Sequence, residues 1–121
     1  MKLRVVLVED NDDIRMMMQA LLQRLGCEVN MGSDGPSGIA AVLEHAPDIA
    51  FVDIGLPGVD GYGVARAVRA RLGDGPLLVA VTGYGQPGDA AKAKEAGFDE
   101  HITKLASSLH GQQPPGLWLR R

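Results

Sequence analysis

The stretch Leu3-Arg4-Val5-Val6-Leu7-Val8-Glu9-Asp10 decides how the chain is read, because four apolar residues follow one another without a break and then give way to two adjacent carboxylates. A strand with one face in water alternates apolar and polar residues, whereas a strand covered by helices on both faces is apolar throughout. Ile49 to Val52 and Leu77 to Val81 repeat the continuous pattern, and Cys27 to Met31 gives a weaker run. These lengths suit strands, and their type predicts a parallel sheet. Ile14, Met18, Leu21, Leu22 and Leu25 recur at helical spacing, and Gly26 stands where a helix end wants a left-handed residue. Asp34 can cap a second helix carrying Ile39, Val42 and Leu43, which ends at Ala46 because Pro47 disfavours a helical residue before it. Val64, Val68 and Leu72 mark a third helix, stopped by Gly73. Gly88 to Ala96 forms a fourth, built of alanine and lysine with little bulk to anchor it, and Phe98 to Thr103 a fifth strand. Strand and helix alternate five times, which predicts a doubly wound α/β sheet.

The chain has 121 residues and a formal charge of −3. That suits one domain with one core and excludes two full domains. A single cysteine, Cys27, forbids an internal disulfide, and the apolar run near the start is too short for a signal peptide, so a reducing cytoplasm is expected. No run approaches the roughly 20 apolar residues that cross a bilayer. No cluster of Lys and Arg is interleaved with aromatic residues, so direct nucleic-acid binding is not expected. Residues 105–121 contain no Asp or Glu, and Gly111, Pro114, Pro115 and Gly116 forbid extension of any short helix at Leu105 to His110. The expected organisation is a domain over residues 1–110 followed by an irregular tail over 111–121.

In open parallel sheets, chemistry sits beyond the carboxyl ends of the strands. The runs lead there into Glu9-Asp10, Asp53, Thr82 and Lys104. Three neighbouring carboxylates repel one another, and a cation relieves that repulsion. A few hard oxygen ligands that leave room for water and phosphate suit Mg²⁺. A carboxylate can attack phosphorus, a lysine can neutralise phosphoryl charge, and a threonine can donate a hydrogen bond to a phosphoryl oxygen.

The phrases Val6-Leu7-Val8-Glu9-Asp10-Asn11, Val52-Asp53-Ile54-Gly55-Leu56-Pro57-Gly58-Val59-Asp60-Gly61, Val81-Thr82-Gly83-Tyr84-Gly85 and Ala96-Gly97-Phe98-Asp99, in this order, resemble the receiver domain of two-component response regulators over residues 2–104. The later phrases resemble receivers attached to hybrid histidine kinases. The resemblance implies a flavodoxin-like five-stranded sheet of order 2-1-3-4-5 and Asp53 as phosphoacceptor. It implies Glu9 and Asp10 as the acidic pair for Mg²⁺ (or Mn²⁺), with the Gly55 backbone carbonyl as a further ligand. Thr82 matches the switch hydroxyl, Lys104 the phosphoryl-charge stabiliser, and His101 the position where an aromatic ring turns inward. Tyr84 stands where family members influence attack of water on the phosphoryl group. The implied donor is a histidine kinase or histidine phosphotransfer protein, and a homodimer formed on phosphorylation is compatible with the family.

Lys104 is followed by Leu105 where the family has proline, so a trans bond and a displaced Lys104 loop are expected. The residues after it lack the periodicity of a normal last helix, which is expected to be short or irregular. An aspartyl-phosphate hydrolase would want a second aspartate two residues after the nucleophile, where Gly55 stands. A flavin binder would not place Glu9-Asp10 beside a phosphate. A degenerate receiver, kept as a phosphorylation-independent interaction module, is the remaining rival. The chain holds no output module, so a stand-alone receiver and a piece of a larger protein are both open.

Overall fold

In the computed structural model, residues 2–83, 88–104 and 118–120 are described. The elements run β1 (Arg4–Val8), α1 (Asp12–Arg24), β2 (Glu28–Gly32), α2 (Gly35–His45), β3 (Ile49–Asp53), α3 (Gly61–Leu72), β4 (Leu77–Thr82), α4 (Asp89–Ala96), β5 (Glu100–Lys104) and β6 (Trp118–Arg120). The first five strands are parallel in the order β2-β1-β3-β4-β5, the expected doubly wound arrangement. β6 adds to the β5 edge in antiparallel sense, with Thr103 opposite Leu119. The reading of 111–121 as an irregular tail gives no place to this strand, since three residues carry too little pattern to announce a pairing that depends on a distant edge. The expected short helix at 105–110 and the Lys104-Leu105 bond lie outside the described residues.

The continuous runs explain the burial. Val5 to Val8 and Leu78 to Val81 are enclosed on both sides, and β3 alternates between buried and half-buried. One core joins Val6, Val8, Val52, Leu78 and Ala80 to Val42 of α2, Val64 and Val68 of α3 and Phe98. Each fully enclosed Val or Leu contributes about 2 kcal/mol over an exposed one. α2 lies close because Gly38 leaves no side chain between it and β1: a Cβ there would meet Val8 Cγ1 at 2.5 Å.

Helix limits follow from caps. Asp34 caps α2 by accepting from Ser37 N, and Ala46 ends it in a left-handed turn before Pro47. Asn11 caps α1 by accepting from Ile14 N, while Asp12 and Asp13 occupy the first turn. α4 buries only Ala93 and Ala96, and its N-cap Gly88 offers no side chain. Cys27 is half-buried just before β2. Among the described residues no helix is long and apolar enough to cross a membrane.

Candidate functional site

β1 delivers Glu9 and Asp10 just past its carboxyl end, and β3 ends on Asp53 beside them. Glu9 is buried, Asp53 half-buried and Asp10 exposed, and one carboxylate oxygen from each lies within 4.8 Å of the other two. Three anions this close destabilise one another unless a cation or protons intervene. The donor set is wholly hard oxygen with one exposed member, which fits Mg²⁺ retaining several waters. It is the single such group of three among the described residues.

The backbone fixes two of the three carboxylates. Asn11 N donates to Glu9 Oε2 at 3.1 Å, and Gly55 N donates to Asp53 Oδ1 at 2.8 Å. Gly55 is exposed on the loop that leaves β3. That loop is pressed down by the first turn of α3: a Cβ on Gly61 would meet Ile54 Cα at 2.5 Å and Asp53 O at 2.6 Å, so only glycine allows the approach. Asp60 caps α3 by accepting from Gly63 N. Arg15 was not anticipated. Its guanidinium donates to the Glu9 carbonyl at 2.8 Å and pairs with Asp12, which secures the end of β1 from α1. The only hint in the sequence is its position three residues after Asp12.

Thr82 closes β4 and is buried, with 3% of its surface exposed. Lys104 closes β5 at the same edge by its backbone; its side chain lies outside the described residues, as does Tyr84. His101, three residues before Lys104 on β5, is 7% exposed, and both ring nitrogens are enclosed without a partner among the described residues. Thr103 Oγ1 is likewise enclosed and unpaired, a second polar group that sequence reading did not single out. An unpaired buried polar group costs about 1–3 kcal/mol, so these are sites of stored cost. The structure therefore brings Glu9, Asp10 and Asp53 together, sets Thr82 and the Lys104 backbone on the same sheet edge, and turns His101 into the interior.

A family model described as the response regulator receiver domain matches residues 5–110. The chain is 35% identical to the transcriptional regulatory protein PhoP of Escherichia coli over 102 residues, which cover 84% of this chain and 45% of that one. It is 31% identical over 104 residues to protein PilG of Pseudomonas aeruginosa, covering 84% and 76%. The chain thus spans less than half the length of PhoP. Among solved structures it is similar to the receiver domain of the sensor histidine kinase PA1611 from Pseudomonas aeruginosa, with TM-score 0.77, 28% identity and 86% of each chain covered. That structure has a magnesium ion in its active-site cleft.

Proposed function

Since the chain belongs to the response regulator receiver domain family of two-component signalling, we propose that Asp53 is its phosphoacceptor and that Glu9, Asp10 and Asp53, with the Gly55 backbone carbonyl, hold Mg²⁺. The observation that carries this reading is the convergence of three carboxylates at the ends of β1 and β3. A signalling domain of this family changes state rather than turning over a substrate. Bound Mg²⁺ supplies positive charge against the carboxylates and the incoming phosphoryl oxygens.

A carboxylate oxygen of Asp53 attacks phosphorus in line with the scissile bond. The donor is a phosphohistidine on a histidine kinase or phosphotransfer protein, or a small acyl phosphate. The new P–O bond forms as the P–N bond to imidazole, or the P–O bond to the acyl group, breaks, and the electron pair leaves with the donor. There is little covalent work beyond this, so positioning and charge neutralisation supply most of the catalysis. The Gly55 N–H holds Oδ1 of Asp53, which fixes the carboxylate at the end of β3. Thr82 donates its hydroxyl to a phosphoryl oxygen, and Lys104 neutralises phosphoryl charge. The withdrawal of Thr82 towards the phosphoryl group biases the inward position of His101, a local charge event with a two-state readout.

Incubation with a small acyl phosphate and Mg²⁺ tests the reading by intact-protein mass. One phosphoryl adduct that requires Mg²⁺ and disappears in Asp53→Asn is expected. Folded wild-type protein that takes none would favour the interaction-module reading instead.

A further inference from the structure

β5 carries two polar side chains that nothing among the described residues satisfies: both ring nitrogens of His101 and the hydroxyl of Thr103. Residues two apart on a strand share a face, so the two lie one above the other. The register of β4 and β5 sets Thr103 beside Thr82 and His101 beside Ala80. One sheet face therefore carries a polar line of Thr82, Thr103 and His101. It runs from the edge that bears Asp53 to a cavity of about 190 Å³ between α4 and β5, where His101 is joined by Ala90, Ala93, Lys94 and Phe98.

The two unpaired groups are chemically complementary. A neutral imidazole offers one N–H and one bare nitrogen, and a hydroxyl offers one proton and two lone pairs. On one strand face their Cα atoms are about 7 Å apart, within reach of a rotamer change or one bridging water. We infer that Thr103 is a positioning residue whose hydroxyl pairs with the His101 imidazole, directly or through one water, and holds the ring turned inward when Thr82 moves towards a phosphoryl group on Asp53. This rests on the phosphoacceptor reading above. Thr103 is the neighbour of Thr82 on that face, so a displacement of Thr82 alters the surroundings of the Thr103 hydroxyl before those of His101. The end state is then held by a hydrogen bond along β5.

The test follows the His101 ring nitrogens by ¹⁵N NMR in wild type, Thr103→Val, Thr103→Ala and Thr103→Ser, with and without acyl phosphate and Mg²⁺, with phosphoryl occupancy read by mass. Wild type and Thr103→Ser are expected to gain a slowly exchanging, hydrogen-bonded ring N–H on phosphorylation. Thr103→Val and Thr103→Ala are expected to take phosphoryl to the same extent and lack that signal. His101 signals in Thr103→Val that match phosphorylated wild type would overturn the link alone. Wild type that takes no phosphoryl group would overturn the reading beneath it, and the link with it, a failure distinguished by mass.

Discussion

Thr82 and Thr103 stand side by side in the parallel register of β4 and β5, both buried, and the Thr103 hydroxyl has no partner among the described residues. A buried hydroxyl left unpaired opposes folding, and an apolar group of similar shape does not. Thr103→Val is therefore expected to stabilise the unphosphorylated protein by about 1 kcal/mol, read as a higher denaturant midpoint at unchanged slope. A loss of stability would mean that the hydroxyl is already satisfied.

The carboxylate cluster makes a prediction of opposite sign with and without metal. Asp10 is the exposed member of the three, and its charge faces those of Glu9 and Asp53. Asp10→Asn removes that repulsion, so the metal-free variant is expected to melt about 3 °C higher than wild type at low salt. The same variant is expected to lose most of the Mg²⁺-dependent rise in melting temperature, because a ligand stabilises only in proportion to its affinity for the folded state. Calorimetric scans across a Mg²⁺ series measure both effects.

Arg69 ties three segments together at the far end of the sheet. Its Nε donates to Gly97 O at 2.8 Å, its Nη1 to Gly73 O and Pro76 O at 2.8 Å each, and its Nη2 pairs with Asp99 at 2.7 Å. Asp99 in turn accepts from Leu78 N at 2.9 Å, which fixes the start of β4 against the turn into β5. Arg69→Ala is expected to cost about 3 kcal/mol in urea unfolding. Arg69→Lys is expected to recover little of it, because an ammonium cannot reproduce the planar fork.

Tyr62 gives a pH dependence. Burial, then the negative charges of Asp89 and Asp60, raise its phenol above the ordinary value of 10. The folded state thus favours the neutral phenol. Its contribution to stability is present below pH 10 and is lost as pH rises through the raised folded value. An absorbance titration should find Tyr62 ionising later than a model tyrosine, and Tyr62→Phe should lessen the alkaline loss of stability.

Much of this was legible in the sequence for identifiable reasons. Continuous apolar runs named the strands because both faces of a doubly wound sheet are covered. Gly26, Pro47 and Gly73 stopped helices where backbone stereochemistry required it. Glu9, Asp10, Asp53 and Thr82 were legible because each ends or directly follows a strand, and parallel strands deliver their ends to one edge. The unread features depend on partners distant in the chain. Asn and Asp cap equally well, so the choice of Asn11 over Asp12 rests on how the chain leaves β1. The role of Arg15 depends on the path of α1 over that same exit. Thr103 reads as an ordinary polar residue on an edge strand until the packing around β5 encloses it. β6 exists by pairing with β5, which no local pattern encodes.

The central claim is that phosphoryl transfer ends on one carboxylate, and borohydride trapping tests it most directly. An acyl phosphate on aspartate is reduced to homoserine, which peptide mass spectrometry locates. After treatment with acyl phosphate and Mg²⁺, homoserine is expected at residue 53 alone, and at no position when Mg²⁺ is withheld. Reduction at Glu9 or Asp10, or at no carboxylate of a folded protein, would contradict the account.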